Sequence, residues 1–261
     1  MENKMFQKGW QIIPNPYIAG IPVENDAIFV GRESLANDAV IALEKNPVFV
    51  VGHRRMGITS LLKYIQRHYL KSEKIISVYI TAEKFIYNNT NNFLFSFCRH
   101  ITEELEDYQI LTKEESERCL FKIRENGIID FNLFFDNTLN KVKTQNKTLI
   151  LIIDEYPIIY EAIVNGQIDS QFTSLLRGYL QNNSKEFKII YSDALSLKYL
   201  ISSQSKNVMG IWKSIEVSFL EEKNVRKLIS KPTNDQMHFE DDSFLYLMDL
   251  TNGHPFLFRL F

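Results

Sequence analysis

Apolar and polar positions come in blocks along the 261 residues, and the blocks alternate between two periods. A β-branched and aromatic run, Val48-Phe-Val-Val51, ends at Gly52, a second glycine follows at Gly57, and apolar residues then recur at helical spacing through Leu61, Leu62 and Ile65. That pattern predicts strand, loop and helix. Upstream, Phe29-Val-Gly-Arg-Glu33 leads into Leu35, Ala39, Ile41, Ala42 and Leu43, a short helix with Glu33 in its first turn. Downstream, Ile75 to Thr81 reads as a strand by its β-branched enrichment. Residues 90–108 and 113–124 read as helices, with the Asn-rich stretch 88–92 as the loop that opens the first, and Phe131, Leu133, Phe134, Leu139 and Val142 support another. Leu149-Ile-Leu-Ile-Ile153 is apolar at every position, which suits a strand covered on both faces. A helix carrying Leu175, Leu176, Tyr179 and Leu180 follows, then strands at 187–191 and 214–219. Strands alternating with helices at this spacing predict an α/β fold, a doubly wound parallel five-stranded sheet flanked by helices. Ligands then bind at the carboxyl ends of the strands, where Gly52 and Asp154 fall. Pro14, Pro16, Gly20 and Pro22 make residues 1–27 an extended arm.

Composition narrows the class. With 45% hydrophobic and 24% charged residues the chain buries a large core and reads as globular. No apolar run approaches the roughly 18 residues of a spanning helix. Residues 1–9 lack the apolar stretch of a secretory signal, so a cytoplasmic location is expected. Cys98 and Cys119 have no second Cys/His pair at metal-ligand spacing and are expected to be packing residues. Thirty basic against thirty-two acidic residues give a net charge of −2, and no global basic field makes nucleic acid an expected partner of these residues. The five histidines stand outside Gly-x-Ser-x-Gly and cysteine signatures, which excludes the common nucleophilic hydrolases.

The loop after the first strand carries the chemistry. Gly52, His53, Arg54, Arg55, Met56, Gly57, Ile58, Thr59 and Ser60 follow the phosphate-binding pattern G-x-x-x-x-G-K-[ST], in which backbone N–H groups wrap phosphates and the hydroxyl ligates Mg²⁺. The motif's lysine is replaced by Ile58, so a charge-assisted contact worth roughly 1.5–3 kcal/mol is missing from the outer phosphates of ATP. About a hundred residues later the run 149–153 ends in Asp154-Glu155. Asp154 is expected to hold Mg²⁺ with Thr59, and Glu155 to activate the attacking water. A weakened ATPase and a non-catalytic scaffold both fit this loop.

The chain resembles the AAA-like P-loop ATPases of the class called signal-transducing ATPases with numerous domains, in their prokaryotic branch. The resemblance rests on Asn15-Pro-Tyr-Ile-Ala-Gly20, Phe29-Val-Gly-Arg-Glu33, the loop 52–57 with Thr59-Ser-Leu-Leu62, Ile152-Ile-Asp-Glu155, Leu176-Arg177 and Gly253-His-Pro255. It implies that Val30, Gly31 and Arg32 border the base with Pro255 opposite, and that His254 reports the nucleotide's state. It also implies that Arg177 points to the outer phosphate or a neighbouring subunit, and that Ser192 senses the phosphate. Ser192-Asp193 stands where the family shows Gly-Ser, and Asp193 would repel phosphates unless it faces away. The resemblance divides the chain into an arm (1–28), an ATPase core (29–220) and the start of a C-terminal helical region (221–261). It suggests self-association or an effector partner, in roles such as prokaryotic antiviral defence. Phe256, Phe258 and Phe261 are expected to be exposed, as on a fragment of a longer protein; a DNA-acting initiator or transposition ATPase is the more distant alternative.

Overall fold

The computed structural model describes residues 20–85, 88–193, 212–233 and 240–259. Most of the arm, including Asn15 to Ala19, and Phe261 lie outside the described residues. The chain runs through α1 (Glu33–Leu43), β1 (Val48–Gly52), α2 (Ile58–His68), β2 (Ile75–Thr81), α3 (Thr90–Asp107), α4 (Lys113–Asn126) and α5 (Ile128–Thr144). It continues through β3 (Thr148–Asp154), α6 (Tyr156–Val164), α7 (Gln171–Asn182), β4 (Phe187–Asp193) and β5 (Lys213–Val217). The last described elements are α8 (Glu222–Ser230), α9 (Asp241–Thr251) and the single turn α10 (Pro255–Phe258).

The strands form one parallel sheet in the order β2-β3-β4-β1-β5. The uninterrupted apolar run of β3 explains its place inside the sheet. Leu149, Leu151 and Ile153 enter the larger apolar cluster with α3, α5 and α7, while Ile150 and Ile152 enter a second cluster with α1 and α2 on the opposite face. Phe172 on α7 packs edge-on against Phe93 and Phe97 of α3, at 4.9 and 5.2 Å between ring centroids. That aromatic knot fixes one helical layer to the sheet. A third cluster joins Val30, Leu220, Val225, Phe244 and Phe258.

Several boundaries differ from the sequence reading. A helix, α6, starts directly after Glu155; its segment is apolar nearly throughout, so it carries little helical periodicity, and Pro157 in its first turn is its clearest local signal. β4 runs on through Ser192 and Asp193 because these pair with Val50 and Val51 of β1. β5 ends at Val217, leaving Phe219 exposed beyond it. Asn89 caps α3 by accepting from the Asn92 N–H at 2.9 Å, so residues 90–92 belong to the helix. Phe258 is buried and Phe256 half-buried, against the expectation of exposure, because the C-terminal helices fold back on Leu220 and Val30. Cys98 and Cys119 are free thiols within the packed helices. No described helix is long and apolar enough to cross a membrane.

Candidate functional site

The register of the sheet brings the chemistry together. Gly52, Thr81, Asp154 and Asp193 stand at the carboxyl ends of their strands, and β4 lies between β1 and β3. From Gly52 the chain turns through a loop in which Arg55 (φ 65°) and Gly57 (φ 91°) adopt the left-handed conformation, while Met56 anchors it in the core at 1% exposure. Left-handed backbone is natural for Gly57 and strained for Arg55, so the loop is held in shape by its anchor. Gly57 then caps α2, whose first turn carries no acidic residue, leaving its N–H groups and positive dipole end available to an anion.

Thr59 in that turn donates its hydroxyl to Asp154 Oδ2 at 2.9 Å. Tyr79 of β2 donates to the same oxygen at 2.5 Å, and burial followed by the Asp154 charge pushes its phenol well above the usual range. Ser192, wholly buried, donates to Asp154 Oδ1 and accepts from the Glu155 N–H at 3.0 Å. One hydroxyl thereby fixes both acidic residues at the end of β3. Glu155 itself takes left-handed backbone (φ 59°, ψ 42°), a strained turn for a non-glycine residue that swings its carboxyl away from the strand.

The Glu155 carboxyl meets that of Glu83, in the turn after β2. Burial first, and then this neighbour, push Glu155 up to about 7, while Arg54 pulls the other way. Asp193, expected to threaten the phosphates, is 1% exposed and does not line the cavity, so it faces away.

A cavity of about 490 Å³ opens over the loop. The residues from His53 through Ser60, with Glu83 and Glu155, line one part; Val30, Arg32, Leu220, Leu228 and Pro255 line another. A second cavity of about 370 Å³ shares Thr59 and Glu155 and reaches Tyr79, Lys63 and His100. Arg32 is buried with its guanidinium on the Ser218 carbonyl, and burial lowers its pKa. Gly31 is absent from the lining: it packs under α8, where a Cβ would meet the Asn224 side chain at 2.6 Å. Ser60 spends its hydroxyl on the arm, accepting from the Val23 N–H at 2.9 Å. Gly52 packs beside Val217, and Ile58 lies over it, 5% exposed within the cluster on the α1–α2 face. His254 caps α10 through Nδ1, which accepts from Phe256 N–H at 3.3 Å, and burial lowers its pKa against the opposing pull of the Arg54 backbone. Arg177 is half-buried on α7 and does not reach the cavity of its own chain.

The sequence reading missed Glu83, Tyr79, Phe256 and Arg259. An acid just past the carboxyl end of β2 was the available signal for Glu83; nothing in the local pattern marks the other three. The Thr59 hydroxyl beside the Asp154 carboxylate, at a helix amino end, is an oxygen donor set that fits Mg²⁺.

This juxtaposition on a parallel sheet makes the fold that of a P-loop ATPase. Solved structures agree on the fold. A Walker-type ATPase of Pyrococcus abyssi superposes with a TM-score of 0.66 at 15% identity, over 92% of this chain and 68% of that one. The ORC2 protein of Aeropyrum pernix, in ADPNP–ADP complexes, gives 0.57 at 14% identity over 93% of this chain; the chain spans 61% of that protein. The Aeropyrum pernix ORC1 protein, solved in complex with DNA, gives 0.51 at 9% identity over 88% of this chain and 58% of that one. No curated protein matches by sequence. The AAA-like domain model matches residues 19–261, and the chain belongs to that family.

Proposed function

We propose that the chain is a nucleotide-dependent switch module that takes ATP and Mg²⁺ into the cavity over the loop 52–57, with hydrolysis weakened by Ile58. The observation that carries this reading is the 2.9 Å contact between Thr59, in the first turn of α2, and Asp154, at the carboxyl end of β3. Thr59 and Asp154 would hold the Mg²⁺, which when bound neutralises charge on the outer phosphates. Backbone N–H groups of the loop wrap the phosphates, and Val30, Arg32 and Pro255 flank the base. Glu155, held by Ser192, orients the attacking water once its proton is lost. His254 and Phe256 join the C-terminal helices to the loop through Arg54 and Arg55, so the state of the nucleotide changes how residues 221–261 pack against the core at 29–220. Arg177, away from its own cavity, serves the site of a neighbouring copy in an assembled state. The resemblance to signal-transducing ATPases supports regulated assembly or antiviral defence signalling in a prokaryotic cytoplasm as the setting.

The test is Mg²⁺-dependent ATP affinity and turnover of the chain beside Ile58→Lys and Asp154→Ala. Saturable binding that needs Mg²⁺ and Asp154, with turnover rising in Ile58→Lys, is expected; no binding in either the parent or Ile58→Lys would sink the reading. Burial of Ile58 favours a second reading, a non-catalytic scaffold that keeps the fold for its surfaces. In that case Asp154→Ala leaves partner binding unchanged. A DNA-acting role, the setting of the ORC1 complex, requires salt-sensitive binding to duplex DNA despite the net charge of −2.

A further inference from the structure

Building on the nucleotide reading, we propose that Arg54 supplies the positive charge that position 58 lacks, and so sets the preference for nucleoside triphosphates over diphosphates. The Ile58 side chain cannot serve phosphates in any rotamer, and it is committed to packing. It belongs to the apolar cluster on the α1–α2 face, and its Cδ1 lies 3.4 Å from where a Cβ on Gly52 would stand.

The other arginines that line this cavity are occupied, and Lys84 lines the neighbouring cavity rather than this one. The Arg55 guanidinium sits 4.1 Å from the centre of the Phe256 ring. Arg32 donates to the Ser218 carbonyl, and Arg259 to the Ile28 carbonyl at 3.5 Å. Lys63 is paired with Glu24 at 2.9 Å. Arg54 has no ion pair or hydrogen-bonded side chain among the described residues, and it is exposed on the cavity that Glu155 also lines.

Its position along the cavity decides which phosphates it meets. Glu155 follows Asp154, which touches Thr59, so Glu155 marks the metal end of the cavity. Arg54 lines the same cavity as Thr59 and Glu155, so its guanidinium shares the cavity with that end. Its backbone is steadied from the other side by His254. A guanidinium fork matches two phosphate oxygens at once, where an ammonium supplies a point charge, so the loop recovers recognition of the outermost phosphate by a different donor.

The experiment is calorimetric titration of the full chain with ATP and ADP in Mg²⁺, for the parent, Arg54→Ala, Arg54→Lys and the double variant Arg54→Ala/Ile58→Lys. Arg54→Ala is expected to weaken ATP by about tenfold to a hundredfold and ADP by less than about threefold. Arg54→Lys recovers part of the loss, and the double variant restores ATP binding by returning a cation to position 58. Thermal melts of all four check the fold. Arg54 is exposed, so its single variants are expected to melt with the parent, whereas Ile58 is buried and the double variant is compared only at temperatures where its melt shows it folded. An unchanged ratio of ATP to ADP affinity in Arg54→Ala, with the parent binding ATP, overturns this proposal and leaves the nucleotide reading intact. No binding of either nucleotide by the parent overturns both.

Discussion

At the scale of the residue, the facing carboxyls of Glu83 and Glu155 set a pH response. With Glu155 raised from an ordinary value of 4.5 to about 7, the folded chain holds that proton more tightly than the unfolded chain. The stability it contributes is fully present below about pH 4.5 and is lost as pH rises through about 7. In magnesium-free, nucleotide-free protein, Glu83→Gln should therefore raise the melting temperature at about pH 8 and change it little at about pH 5. Equal shifts at both pH values would show that the two carboxyls do not share a proton. Ile58 is the residue whose meaning the sequence and the structure divide between them. Its identity announced a missing charge; only its packing against Gly52 shows that the position has been given to the core.

Among the elements, the C-terminal turn depends on one glycine. Gly253 has φ +76°, and a Cβ there would stand 2.2 Å from the Leu220 carbonyl, whose amide in turn donates to the Gly253 carbonyl at 3.0 Å. Gly253→Ala should break this pairing, at a cost of roughly 1–3 kcal/mol, and loosen α10 from the loop. Hydrogen exchange at the Leu220 amide measures it, and unchanged protection would refute the coupling. Strands and long helices were legible from sequence because period and β-branched content are local. The helix α6 was not: apolar on nearly every side, it lacks the alternation that identifies a helix, and its burial against β4 supplies what periodicity did not. The ends of β4 and β5 were set by partner strands rather than by their own residues, so a reading of β4 alone stopped early and one of β5 ran too far.

For the whole molecule, a ligand bound between the loop, the core and the C-terminal helices stabilises all three. Mg²⁺–ATP at a hundred times its dissociation constant should add about 2.7 kcal/mol to unfolding, and Asp154→Ala should abolish that gain. Thermal melts with and without nucleotide read it directly; a parent chain whose melting ignores saturating Mg²⁺–ATP would contradict the switch. By itself the sequence determined the alternation of strands and helices, the glycine loop with isoleucine where the phosphate-binding pattern has lysine, and the acidic pair at the end of β3. Each of these is written in consecutive residues, through side-chain period, turn chemistry and the identity of a few polar groups. Only the tertiary structure decided who meets whom. Strand order placed β4 between β1 and β3, and so put the Ser192 hydroxyl on both acidic residues, Tyr79 on Asp154 and Glu83 opposite Glu155. It turned Ser60 to the arm and left Arg177 away from the cavity. Periodicity tells which face of an element is buried, but not which neighbour covers it, because that depends on strand order and on contacts between residues far apart in the chain.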